Sequence, residues 1–113
     1  MKANKRDCLT VLAGAALLVG AETAAAFLTL VGNGKRLAIL CHLLDREMSV
    51  GTIAEKVGLS QSALSQHLAK LRGSGLVTTR RDRQMIYYSC HSEPVRKLLA
   101  TLEEIYGPLS AGE

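Results

Sequence analysis

The sequence predicts a small, mainly helical domain with one β-hairpin, and two neighbouring segments decide this. Residues 60–72 show an amphipathic pattern in which Leu64, Leu68 and Leu71 recur at the spacing of one buried helix face. Residues 76–81 and 85–89 then form two strand patterns that Asp82-Arg83-Gln84 separates, which predicts a hairpin wing. A chain of 113 residues supports one such domain. The predicted fold class is a winged helix-turn-helix of the order α-α-α-α-β-β-α.

The first half of the chain predicts the scaffold before the amphipathic helix. Helices are predicted over residues 22–31, 35–44 and 50–57, after an N-terminal helical extension over residues 1–21. Gly20 is expected to separate the extension from the helix that follows. Ser49 is a predicted N-cap of the short third helix, Gly58 ends that helix, and Ser60 caps the next one.

The end of the chain predicts one further helix and a tail. Ser92-Glu93-Pro94 has the composition of a helix start, because proline costs nothing in the first turn. The helix over residues 95–106 carries a broad apolar stripe, and residues 108–113 form a tail. The winged helix-turn-helix domain is therefore placed at residues 22–107. We expect the N-terminal and C-terminal helices to form a homodimer interface.

The N-terminus permits a different interpretation. A basic segment over residues 1–6 precedes an apolar run over 9–21, which imitates a secretory signal peptide. This leaves a membrane-anchored or exported interaction protein as an alternative. The run is shorter than the roughly 20 residues that a membrane-spanning helix needs, and it is rich in Gly and Ala. We therefore favour a cytoplasmic protein with no membrane partner.

The outer face of the amphipathic helix and the wing indicate double-stranded DNA as the partner. The helix face is short, polar and uncharged at its N-terminal end, where serine and glutamine can approach base edges in a major groove. The net charge of +4 is uneven, because residues 60–91 carry a clear excess of Lys and Arg. The candidate DNA-binding residues are Ser60, Gln61, Ser62, Ser65, Gln66, His67, Lys70, Arg80, Arg81, Arg83 and Gln84.

The cysteine and carboxylate patterns give little support to a disulfide-linked fold, a metal site or an enzyme. Cys8, Cys41 and Cys90 are widely spaced and include no CxxC pair, so a disulfide framework or a zinc finger is not expected. No paired carboxylates or nucleophile arrangement suggest an enzyme, and no cofactor or metal is expected. Cys41 and Cys8 are the two candidate redox residues.

Four segments carry a family resemblance. The segments 34–40, 49–54, 59–68 and 80–89 together resemble the ArsR/SmtB family of bacterial repressors, and the NolR/BigR/HlyU-like branch in particular. The resemblance implies a homodimer that represses transcription by binding a palindromic operator, with residues 60–72 in the major groove and the wing over 76–89 gripping the DNA.

The inducer sites of the family are only partly matched here. The metal box ELCVCDL would fall on residues 47–53, where both cysteines are missing, and the last helix has no histidine for a zinc site. Persulfide-sensing relatives have one cysteine that matches Cys41, whereas their second cysteine would fall at Gly107. The resemblance therefore favours a regulator without the dithiol switch, and a thiol- or persulfide-responsive repressor that uses Cys41 with Cys8 stays an alternative.

Overall fold

The computed structural model describes residues 15–109, with side chains described from residue 20 onward. Its elements are α1 (Ala15–Val31), α2 (Gly34–Leu43), β1 (Glu47–Ser49), α3 (Val50–Val57), α4 (Gln61–Gly73), β2 (Thr78–Asp82), β3 (Met85–Ser89) and α5 (Glu93–Tyr106). This confirms the predicted winged helix-turn-helix: α3 and α4 form the helix-turn-helix, and β2 and β3 form the wing.

The chain divides into two compact units, and the boundary along the sequence lies between Gly32 and Asn33. The predicted break at Gly20 is wrong, because α1 runs without interruption through that residue. A single glycine costs a helix only about 1 kcal/mol relative to alanine, and the helix formers around Gly20 outweigh it. The extension over residues 1–21 lies mostly outside the described residues, as do the last residues of the tail, so the domain limits stay a prediction.

The core of the second unit is built from four helices and the root of the wing. Leu64, Leu68 and Leu71 lie at 0–2% exposure, which confirms the predicted buried face of α4. The other fully buried side chains are Ile39, Leu40, Leu43, Ile53, Cys90 and Val95. Burying such aliphatic side chains is the main stabilising term, at about 1.5–3 kcal/mol for each large one.

Helix starts in this unit are fixed by side-chain caps. Ser49 and Ser60 accept hydrogen bonds from the backbone N–H groups three residues ahead, as predicted, and Ser92 does the same for α5. Asn33 caps α2, because its Oδ1 accepts from the backbone N–H of both Lys35 and Arg36. Each cap satisfies donors that the first helical turn leaves unbonded.

The sheet has one more strand than the sequence predicts. β1 pairs with β3 in antiparallel register, with Met48 opposite Tyr88, so the strand order is β1-β3-β2. β2 pairs with the other edge of β3, with Arg81 opposite Ile86. Because β1 leads directly into α3, the sheet joins the wing to the first helix of the helix-turn-helix.

An ion-pair cluster ties α5 to the segment after α2. Both carboxylate oxygens of Asp45 accept from the Arg96 guanidinium, and His91 Nδ1 lies 3.6 Å from Asp45 Oδ1. Arg96 Nε also donates to Glu93 at 3.2 Å. These arginine contacts hold the pKa of the Asp45 carboxyl below its usual range. The cluster fixes the start of α5 beside the root of the wing.

Candidate nucleic-acid interface

The recognition helix α4 is positioned by the turn that precedes it. Gly58 has φ of 69°, in the left-handed region, and its N–H donates to Ala54 O at 2.9 Å. Leu59 N–H donates to the same oxygen, and Ser60 then caps α4. This compact turn leaves the N-terminal end of α4 accessible, with its buried leucines fixing the rotation of the helix.

The outer face of α4 is as the sequence predicts. Ser60 and five predicted DNA-contacting residues of this helix are exposed: Gln61, Ser62, Ser65, Gln66 and Lys70. Only the last of these carries a charge. Exposed amides and hydroxyls at the first turns of a recognition helix are suited to hydrogen bonding with base edges and phosphates.

A groove of about 520 Å³ lies between α4 and the wing. Gln61 and Ser65 line it from the helix, and Gln84, Ile86 and Tyr88 line it from the wing. The fold therefore brings three of the predicted contacts, Gln61, Ser65 and Gln84, together on one surface. A second groove of about 540 Å³ continues this surface along α3, where Ser49, Thr52 and Glu55 join Gln61.

The register of the wing separates its arginines. Residues opposite each other in an antiparallel pair point to the same face of the sheet. Arg81 lies opposite Ile86, which lines the groove, whereas Arg80 lies opposite Tyr87 on the other face. Arg83 occupies the turn with φ of 60°, and its carbonyl accepts from Arg81 Nε at 3.2 Å. Arg81 thus lies on the groove side of the wing, and Arg83 lies in the turn at its tip.

Arg80 is engaged in a contact that the sequence did not indicate. Its Nε and Nη2 each donate to one carboxylate oxygen of Glu47 at 2.9 Å, and its guanidinium lies 4.8 Å from the centroid of the Tyr87 ring. The Arg80 hydrogen bonds hold the pKa of Glu47 below its usual range, so this carboxylate is ionised at neutral pH. Glu47 could not be found by pattern, because it lies in the short strand that was not predicted.

His67 also differs from the other predicted contacts. Its side chain is half-buried, and its Nδ1 lies 3.2 Å from Arg36 Nη1. Burial lowers the pKa of His67, and the charges of Arg36 and Lys70 lower it further. The ring is therefore neutral at pH 7 and accepts from Arg36, which ties the recognition helix to α2. The neighbouring Lys35 makes a similar structural contact, donating to Val57 O at 2.8 Å.

The candidate redox residues are only partly described. Cys41 is half-buried and lines a groove of about 280 Å³ with Arg46, Leu99 and Glu103, while Cys8 lies outside the described residues. Cys90 is fully buried, and burial raises the pKa of its thiol. Within residues 15–109, no three side chains of His, Cys, Asp or Glu come together as a metal site requires.

Comparison with known proteins decides the family. The family model described as bacterial regulatory protein, arsR family, matches residues 33–79. The nodulation protein NolR of Rhizobium meliloti is 61% identical over 87 residues, which cover 77% of this chain and 71% of that protein. The chain belongs to the arsR family. It is a transcriptional regulator with a winged helix-turn-helix fold for binding DNA, which confirms the family and the function expected from the sequence.

Two further arsR-family relatives have names that point to opposite effects on transcription. The transcriptional activator HlyU of Vibrio cholerae is 47% identical over 83 residues, or 74% of this chain and 77% of that protein. The biofilm growth-associated repressor of Xylella fastidiosa is 35% identical over 86 residues, or 76% of this chain and 75% of that protein. Both of these relatives are named as regulators of transcription.

Solved arsR-family structures support the fold. The crystal structure of NolR from Sinorhizobium fredii gives a TM-score of 0.80 at 57% identity, covering 84% of this chain and 95% of that chain. A solution structure of Mb0332 from Mycobacterium bovis, described as a homodimeric winged helix-turn-helix DNA-binding domain, gives 0.70 at 29% identity and covers 82% and 86%.

The membrane alternative requires a helix that can cross a bilayer. Within residues 15–109, no single helix is both long enough and apolar enough to cross a membrane. Residues 20–31 of α1 and the helix α2 reach the required length and hydropathy only when they are counted together.

Proposed function

We propose that this arsR-family protein is a cytoplasmic, homodimeric repressor that binds a palindromic operator. The observation that carries the proposal is the groove in which the uncharged face of α4 meets the wing. A surface of this kind can separate two tasks, because uncharged amides discriminate bases while arginines hold the phosphate backbone. The proposed interface consists of Ser60, Gln61, Ser62, Ser65, Gln66, His67, Lys70, Arg80, Arg81, Arg83 and Gln84.

Base selection is assigned to the first two turns of α4. Gln61 is exposed, lines both grooves and lies at the first position of the helix, where a side chain can enter the major groove deeply. Glutamine can donate to and accept from adenine at the same time. Ser62, Ser65 and Gln66 are placed beside it for further base or groove-wall contacts.

Phosphate contacts are assigned to the basic residues around that face. Lys70 lies two turns further along α4, and Arg81 and Arg83 lie at the tip of the wing. His67 and Arg80 would first exchange their present partners, Arg36 and Glu47, for a phosphate. These contacts contribute affinity that depends on salt and not on sequence.

Dimerisation is assigned to the apolar residues that the single chain leaves exposed. Leu28 of α1 is 55% exposed, while Ile105 and Tyr106 of α5 are 63% and 75% exposed. Large apolar side chains that a small protein leaves exposed are typical of an interaction site. We propose that both helices contribute to an interface between two copies of this chain, which gives two recognition helices related by a two-fold axis.

The dimer can be tested with one charge at this surface. Ile105→Glu is expected to give a monomer in analytical ultracentrifugation and to lose most of its affinity for operator DNA, because one recognition helix alone makes half of the contacts. Lys97→Gln changes the net charge equally at an exposed position of the same helix and serves as the control. If the Ile105→Glu variant remained a dimer, the proposal that α5 forms part of the interface would be refuted.

The decisive experiment is selection of genomic DNA fragments on the purified protein. We expect enrichment of a short site with two-fold sequence symmetry. Gln61→Ala is then expected to reduce discrimination at one base pair of each half-site by about 1–3 kcal/mol, whereas Arg81→Ala should weaken all sequences alike and lower the salt slope by about one. Absence of any enriched site would refute the proposal, and unchanged base preferences of Gln61→Ala would refute the role of that residue.

A thiol-responsive repressor is the second candidate, and the groove beside Cys41 is the observation that favours it. In that case polysulfide would release the protein from its operator, and Cys41→Ser would stay bound. A natural protein that binds equally well with and without polysulfide would refute this version and leave the repressor proposal intact.

A further inference from the structure

The contact between Arg80 and Glu47 spans the whole sheet. The strand order β1-β3-β2 places these residues on opposite edge strands, and the guanidinium lies over the ring of Tyr87 on the strand between them. The two residues are 33 positions apart in sequence. The wing arginine nearest to β1 is therefore held by a carboxylate that belongs to the helix-turn-helix side of the sheet.

This carboxylate occupies the donors that a phosphate would use. Nε and Nη2 of Arg80 form two parallel hydrogen bonds with Glu47, and a guanidinium binds phosphate through the same fork. In contrast, the partner of Arg81 Nε is a backbone carbonyl, which carries no net charge. Of these two wing arginines, Arg80 is the one whose described hydrogen bonds are to a carboxylate.

The ion pair between Arg80 and Glu47 is also easily broken in favour of another anion. The side chains of Arg80 and Glu47 are 53% and 39% exposed, so breaking their contact leaves no buried charge behind. Exposed ion pairs contribute little net stability, because solvent and salt screen them. A phosphate at the outer face of the wing can therefore replace Glu47, although Glu47 must first be displaced and its negative charge then remains near the DNA.

We propose that Glu47 is an intramolecular competitor for the phosphate contact of Arg80 and thereby limits the DNA affinity and salt dependence of this regulator. This inference rests on the proposed function, and it adds an acidic residue outside the predicted interface as a determinant of affinity. The opposite role is a positioning role, in which Glu47 holds Arg80 in the orientation that DNA needs. The two roles predict changes of opposite sign.

The test is the Glu47→Gln variant, which keeps the size and hydrogen-bonding oxygen of the side chain. DNA affinity is measured between 50 and 200 mM salt on the selected operator fragment and on a mixed-sequence duplex. Competition predicts tighter binding to both DNAs and a salt slope that is steeper by about one, which corresponds to roughly a fourfold greater loss of affinity across this salt range. Weaker binding would establish positioning and overturn the proposal.

A double-mutant cycle with Arg80→Gln separates competition from a general charge effect. Removing any negative charge near DNA raises affinity somewhat. If Glu47 acts through Arg80, the gain from Glu47→Gln falls sharply in the Arg80→Gln background. Asp82→Asn, a neutralisation on the same strand as Arg80, gives the size of the general effect. An equal gain in both backgrounds overturns the proposal.

Two controls make the outcomes distinguishable. Far-ultraviolet circular dichroism and urea unfolding of each variant show that the fold is retained, which we expect because both side chains are at the surface. A natural protein that binds neither DNA would refute the proposed function itself. A natural protein that binds DNA, with Glu47→Gln unchanged in affinity and salt slope, would refute only the role of Glu47.

Discussion

Gly58 in the turn of the helix-turn-helix offers a sharp test of how this turn is stabilised. Its φ of 69° is in the left-handed region, and a Cβ built at this position would meet nothing within 4 Å. Gly58→Ala therefore introduces backbone strain without a steric clash. An L side chain in this conformation costs about 1–2 kcal/mol. Gly51, at the start of α3, has the same open surroundings but no positive φ, so Gly51→Ala should stabilise by about 0.5–1 kcal/mol.

The two variants form a matched pair, since both add one methyl group in open space on or directly after the same helix. Urea unfolding at one fixed protein concentration is the assay, because dimerisation makes apparent stability depend on concentration. The expected difference in free energy of unfolding is about 2 kcal/mol, or on the order of 10 °C in melting temperature. If Gly58→Ala proves as stable as Gly51→Ala, the left-handed turn is not what holds α3 against α4.

Three other changes test the cap, the histidine and the ion-pair cluster. Ser60→Ala should lower the free energy of unfolding by about 1 kcal/mol, whereas Ser62→Ala, which removes no cap, should stay within about 0.5 kcal/mol; equal losses in urea unfolding would contradict the cap. Because the pKa of His67 is lowered in the folded state, the unfolded state takes up its proton first, so stability should fall as pH drops below 6.5. His67→Gln should remove that part of the pH dependence, and an unchanged profile would show that the ring is not held neutral. Asp45→Asn keeps the positive φ, which asparagine tolerates, but loses the ionic contact with Arg96. Its melting temperature should fall at neutral pH and converge with that of the natural protein only as pH falls below 3.8, since the pKa of Asp45 is lowered in the folded state and its contribution is lost in stronger acid. A constant difference at all pH values would refute the ionic account.

Local patterns predicted most of the helix-turn-helix. The bounds of α3 agree with the sequence prediction, and α4 follows Ser60 as expected. Such elements are predictable because a cap, a helical apolar period and a terminating glycine all lie within a few residues of one another. The same holds for the wing, whose turn lies between two alternating segments.

Features that depend on distant residues could not be predicted in this way. β1 has only three residues, and it becomes a strand because β3 returns beside it. The contact between Arg36 and His67 joins residues 31 positions apart, and that between Glu47 and Arg80 joins residues 33 apart. Charge composition indicated a DNA-binding surface, but only the fold shows which cations already have partners on the protein.

Whether a cation of the interface already has a partner on the protein affects how much it contributes to DNA affinity. Gln61 and Ser65 face the groove with no charge to neutralise, so their contribution depends on which bases they meet. Arg81 reaches the groove side of the wing with only a carbonyl to exchange, whereas Arg80 must leave an ionised carboxylate. Two arginines adjacent in sequence are therefore expected to differ in their effect on DNA binding: Arg81 contributes fully in the natural protein, and the contribution of Arg80 depends on whether residue 47 carries a charge.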